Sequence, residues 1–142
     1  MSDKIIGYTT GVFDLFHVGH LNILKNAKSQ CDYLIVGVTV DELVAYKNKT
    51  AFIPFEERIE IVDSIKYVDK TVAQTSMDKM AAWKEFGFNK MFVGDDWKNS
   101  EQWIKIESDF REVGVEIVYF PYTKETSSTK LRTVLDEYLM KK

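Results

Sequence analysis

Cysteine is almost missing from this chain of 142 residues: Cys31 stands alone, so neither an intramolecular disulfide nor a cysteine metal cluster can form. Its surroundings, SQCDYLIVG, read as the entry to a buried strand, and Cys31 is expected to be a core thiol. Long apolar runs are missing too. No stretch approaches the ~18 apolar residues that a membrane span requires, and MSDKIIGYTTG at the start lacks the apolar core of a secretory signal. A cytoplasmic protein with no membrane partner is the expectation. Net positive charge is absent as well: the formal charge is -3, so no global field gathers nucleic acid, and any phosphate site must be built locally. Repeats, low-complexity tracts and linker-like composition are not found, and 45% apolar with 29% charged residues is ordinary globular composition. One domain spanning 1–142 is expected.

Short runs rich in β-branched and aromatic residues alternate with longer segments of helical periodicity. Ile5–Thr10, Tyr33–Val40, Lys70–Ala73, Lys90–Gly94 and Glu116–Phe120 read as strands. Helices are predicted over His20–Gln30, Pro54–Ile65, Met77–Phe86, Glu101–Val113 and Ser127–Met140, the third stopping at Gly87 and the fourth at Gly114. Repetition of β then α predicts an α/β fold, a single-domain, doubly wound, parallel five-stranded sheet. The segment from Ala45 to Phe55 fits no element; it carries Lys47 and Lys49 and reads as a loop over the site.

The chemistry concentrates after the first strand, in GVFDLFHVGH from Gly11 to His20, which leads directly into an amphipathic helix. Ligands of doubly wound folds sit at the carboxyl ends of the strands. A helix starting near Gly19 turns free N–H groups and a positive dipole end toward an anion, so phosphate is the expected occupant. Neither G-x-G-x-x-G nor G-x-x-x-x-G-K-[ST] is present, which disfavours a dinucleotide or Walker-type site. His17 and His20 lie three residues apart, a spacing that brings both imidazoles to one side. They are the only histidines, so the sequence supplies no obvious third ligand for a zinc-type centre. Alternatively, one caps the helix and the other is a core residue.

G-x-F-D-x-x-H-x-G-H, present here from Gly11 to His20, resembles the signature of the cytidylyltransferases, within the superfamily that shares the HxGH motif with class I aminoacyl-tRNA synthetases. The resemblance runs along nearly the whole chain and is greatest to the bacterial glycerol-3-phosphate cytidylyltransferases. Further landmarks follow in the family's order: Lys47 and Lys49 on a loop after the second strand, Glu56-Glu57-Arg58, Tyr67-Val68-Asp69, and Gly94-Asp95-Asp96-Trp97. The last is a serine/threonine stretch, Ser127-Ser128-Thr129, at a predicted helix start where hydroxyls and N–H groups meet an anion.

The resemblance implies transfer of CMP from CTP to a polyol phosphate, most similar to glycerol 3-phosphate, with pyrophosphate leaving and Mg²⁺ carried mainly on the CTP phosphates. It implies His17, His20, Lys49 and Thr129 as the catalytic set. Gly11, Val12, Phe13, Gly19, Asp95, Asp96, Thr123, Ser127 and Ser128 complete the nucleotide site, and Asp14, Lys47, Arg58, Lys79 and Tyr122 face the second substrate. Arg58 is expected to secure the lysine loop or the substrate. A homodimer and a product destined for teichoic acid or capsule are also implied. The chain departs from the family pattern at Tyr122, where arginine is usual, at Glu125 and Thr126, and at Val12, where the glycerol-phosphate enzymes have threonine. Loss of that guanidinium removes a bidentate phosphate clamp and leaves the identity of the polyol open. Two alternatives stand beside this reading: an adenylyltransferase on the same fold, and a nucleotide-binding regulatory protein without turnover.

Overall fold

A computed structural model of the protein describes residues 4–46, 51–94, 100–120 and 128–140. Its elements run β1 (Ile6–Gly11), α1 (Val18–Lys28), β2 (Tyr33–Thr39), α2 (Asp41–Tyr46), α3 (Phe55–Asp63), β3 (Lys70–Gln74), α4 (Lys79–Phe86), β4 (Lys90–Gly94), α5 (Glu101–Glu112), β5 (Glu116–Phe120) and α6 (Ser128–Met140). The five strands form one parallel sheet in the order β3-β2-β1-β4-β5, so the chain winds outward from β1 in both directions. Fold class and strand number agree with expectation.

Alternation along the central strands divides the core in two. Leu34, Val36 and Val38 of β2 and Phe92 of β4 pack with Leu24 and Ala27 of α1 and Val62 of α3. Ile35 and Met91, one residue out of phase, pack on the other face with Trp103 and Phe110 of α5. Both faces of the sheet are therefore buried, and polar ligands are left with the strand ends. Among the described residues no helix is long and apolar enough to cross a membrane.

Caps account for most shifts of the helix boundaries. α4 starts at Lys79 rather than Met77 because Asp78 Oδ1 accepts the Ala81 N–H at 3.1 Å. It stops, as predicted, at Gly87, which takes a left-handed φ of 65°. α1 starts at Val18 rather than His20, for a reason that belongs to the site. The helix α2 was not anticipated: it follows β2 after one residue, Val40, too closely for its six residues to show a period.

Candidate active site

β1 and β2 pair along six positions, from Ile6↔Tyr33 to Gly11↔Val38. β1 and β4 pair at just two, Gly7↔Lys90 and Tyr8↔Met91. Beyond these the strands part, and the Thr9 hydroxyl donates to the Phe92 carbonyl at 2.9 Å across the widening gap. The opening lies where the winding reverses, the switch point at which doubly wound sheets receive ligands.

The turn that leaves β1 is tightly built. Phe13 and Leu15 both have positive φ, 55° and 52°, a conformation that non-glycine residues adopt at a cost. The turn delivers His17 to the N-cap of α1. Its Nδ1 accepts the Gly19 N–H at 3.0 Å, while His20 Nδ1 accepts the His17 N–H at 3.2 Å. The two rings lie 4.1 Å apart, centroid to centroid. Capping and ligand binding, alternatives on the sequence, are thus compatible in one residue. An imidazole that accepts at Nδ1 carries its proton on Nε2 when neutral, and capping leaves that proton available.

Both rings are held neutral near pH 7. Burial lowers His17 from 6.5. Burial first, then the neighbouring His17, pushes His20 down to about 4, against an opposing pull from Asp14. Phe13 and Phe16 pack against the His20 ring, at centroid distances of 5.5 and 5.2 Å, and supply the apolar surroundings. His17 Nε2 is buried and has no hydrogen-bond partner among the described residues. An orphaned donor of this kind costs roughly 1–3 kcal/mol, and an anion at the α1 N-terminus would relieve it.

Two residues assigned to the second substrate on the sequence have other occupations. Asp14 is buried, and its carboxylate oxygens accept the N–H groups of Phe52 (2.9 Å) and Ile53 (2.9 Å). Arg58 is 0% exposed. Its guanidinium donates to the carbonyls of Ile53, Val12 and Thr39 at 2.8, 2.8 and 2.7 Å, and pairs with Asp41. Asp41 in turn accepts the Phe55 N–H at 3.2 Å. These groups tie the chain just after residues 47–50 to the β1 turn and the end of β2. Of the two roles expected for Arg58, the geometry fits securing the loop. Gly11 and Val12 lie at the rim of the split, and Gly19 is buried within the cap.

A cleft of about 520 Å³ opens on the α4–α5 side of the strand ends, lined by Thr10, Gly11, Thr39, Gln74, Lys79 and Gln102 over an apolar floor that includes Met91 and Trp103. Lys79, assigned to the second substrate on the sequence, therefore shares this cleft with Gly11 at the end of β1. Thr39, Gln74 and Gln102 went unnoticed on the sequence, although the first two close predicted or nearly predicted strands, the place where ligands gather. Lys47, Lys49, Asp95, Asp96, Tyr122, Thr123 and Ser127 lie outside the described residues, as do the side chains of Ser128 and Thr129, whose backbone begins α6. No group of three or more metal-ligating side chains occurs among the described residues. The imidazole nitrogens are a poor match for Mg²⁺, which prefers oxygen ligands.

Residues 8–134 match the family model described as Cytidylyltransferase-like. The chain belongs to the cytidylyltransferase-like family. This cytidylyltransferase-like protein is a member of a family of nucleotidyltransferase enzymes. It is 34% identical over 130 residues, 91% of its length and 94% of the relative's, to the glycerol-3-phosphate cytidylyltransferase of Bacillus subtilis. It is also 31% identical over 132 residues, 93% of its length and 96% of the relative's, to the FAD synthase of Archaeoglobus fulgidus. Among solved structures it resembles a lipopolysaccharide core biosynthesis protein from Thermoplasma volcanium, with a TM-score of 0.72 and 26% identity, covering 87% of this chain and 100% of that one.

Proposed function

We propose that this protein transfers CMP from CTP to a polyol phosphate, glycerol 3-phosphate foremost, forming a CDP-polyol and releasing pyrophosphate. The observation that carries the reading is the buried His17 Nε2, without a partner among the described residues, at the N-terminus of α1, the helix that follows β1. A phosphate oxygen of the acceptor attacks the α-phosphorus of CTP in line, the new P–O bond forms, and the bond to pyrophosphate breaks. The nucleophile is already anionic, so no general base is required, and catalysis consists of positioning and charge stabilisation. Neutral imidazole at His17 donates its Nε2 proton to a phosphate oxygen without giving it up, and the α1 dipole adds to the effect.

In this reading His20 fixes His17 through the reciprocal cap and joins it at the phosphates. Lys49 and Thr129 complete the catalytic set, with Lys47, Lys79 and Tyr122 on the acceptor side and Asp95, Asp96, Thr123, Ser127 and Ser128 on the nucleotide side. Arg58 and Asp14 act by holding the loop that bears the two lysines. Mg²⁺ would be held mainly by nucleotide phosphate oxygens rather than by side chains, and would supply further charge neutralisation there. Similarity to enzymes named for glycerol 3-phosphate supports the choice of acceptor. A homodimer and a product used for teichoic acid or capsule belong to the same proposal.

The archaeal relatives named FAD synthase favour a second reading, adenylyl transfer from ATP to FMN. Pyrophosphate release separates the two when CTP and ATP are compared with glycerol, ribitol, erythritol and choline phosphates and FMN. CTP-dependent turnover with a polyol phosphate is expected. Turnover confined to ATP and FMN would replace the first reading by the second, and no turnover on any pair would remove both.

A further inference from the structure

We infer that Gln74, oriented by Thr39, recognises the acceptor: its side-chain N–H groups donate to a hydroxyl oxygen of the phosphorylated polyol. The inference rests on the polyol-phosphate reading and adds to it a residue outside every motif that points to the family.

Gln74 closes β3 and Thr39 closes β2, and the two are register partners. Both side chains are buried, at 6% and 1% exposure. The Thr39 hydroxyl donates to Gln74 Oε1 at 2.6 Å, which fixes the face of the carboxamide. Thr39 is itself immobilised through its carbonyl, which accepts from Arg58 Nη1. A chain of hydrogen bonds therefore runs from the Arg58 clamp to the Gln74 amide and turns Nε2 away from Thr39. There it meets the Met77 thioether at 3.7 Å. A thioether is a weak acceptor, and a carboxamide NH₂ carries two hydrogens, so the donor capacity of Nε2 is poorly used.

The surroundings indicate what it awaits. Gln74 and Met77 both line the cleft of about 520 Å³ that reaches Gly11 at the end of β1. The polar side chains of Lys79, Gln102 and Thr10 also line this cleft, and no carboxylate lines it among the described residues. A lining with N–H donors and no carboxylate among the described residues suits a ligand with negative charge and oxygen lone pairs, as a polyol phosphate is. A quaternary ammonium headgroup seeks carboxylates or an aromatic cage, and Trp103 is the single aromatic side chain in the described lining.

Gln74→Met removes the donor while keeping length and apolar packing. The KM for glycerol 3-phosphate is expected to rise about tenfold, the loss of one useful hydrogen bond, with kcat and the KM for CTP within about twofold of wild type. Thr39→Val is expected to raise the acceptor KM less, and the double variant no further than Gln74→Met alone, since both act on one group. Gln74→Glu keeps an acceptor for the Thr39 hydroxyl and is expected to impair the acceptor KM more than Gln74→Met does, by facing a phosphorylated ligand with negative charge. This variant provides the readout if Gln74→Met does not fold. A wild-type acceptor KM in the folded variants, or equal rises for acceptor and CTP, would overturn the inference. Absence of turnover by the wild-type enzyme on every polyol phosphate would instead overturn the reading beneath it.

Discussion

Arg58 and His17 are both polar residues of the family signature with buried nitrogen atoms, and the two are treated oppositely by the fold. Four N–H bonds from the Arg58 guanidinium are matched, to three carbonyls and a carboxylate. The outer nitrogen of His17 has no match among the described residues. The difference separates framework from chemistry: a group whose every nitrogen has a partner holds the site, and a buried nitrogen left without one is where a ligand supplies it. Membership of a motif does not make that distinction, but the partners of each nitrogen do.

The largest effect is expected where the framework is cut. Arg58→Met leaves three carbonyls and Asp41 without their donor, and should cost about 3–5 kcal/mol in urea unfolding, enough to threaten folding itself. A loss under about 1 kcal/mol would mean that Arg58 is not the clamp described. Asp14→Asn should cost less, about 1–3 kcal/mol, because the two backbone N–H groups at Phe52 and Ile53 lose a charged acceptor. Its KM for nucleotide should rise, through loosening of the chain next to Lys47 and Lys49. A weaker but more diagnostic effect concerns pH. The folded value of His20, about 4, lies below its ordinary 6.5, so protonation favours the unfolded chain. This contribution to stability is complete above about 6.5 and is lost as pH falls toward 4. His20→Gln should flatten the dependence of unfolding midpoint on pH across that window, and an unchanged slope would break the assignment. Least of all should Lys28→Ala matter: its ion pair with Asp69 is partly exposed, and such pairs contribute under about 1 kcal/mol.

How far the sequence reached follows the same division. β4 and β5 run as predicted because a compact apolar run with polar or glycine edges specifies a strand locally. The histidine pair was legible because its residues lie three apart at a helix start, where the reciprocal cap brings them together. The choice between the two roles of Arg58 was not, since its partners Val12 and Thr39 lie 46 and 19 residues away and meet it through the tertiary fold. Asp14 looked like a ligand because it sits in the signature, yet Phe52 and Ile53 come back to claim its carboxylate. The pairing of Thr39 with Gln74 is a product of β2–β3 register, which no local pattern reveals.

The most direct test of the account is His17→Asn. Asparagine is a good N-cap, so its side-chain oxygen can take the Gly19 N–H in place of Nδ1, but it has no atom where Nε2 stood. The account predicts an unfolding free energy within about 1 kcal/mol of wild type together with a fall of about 10²–10³-fold in kcat for pyrophosphate release. Retained turnover in that stable variant would contradict it, for then the unmatched nitrogen of His17 would have no part in the chemistry.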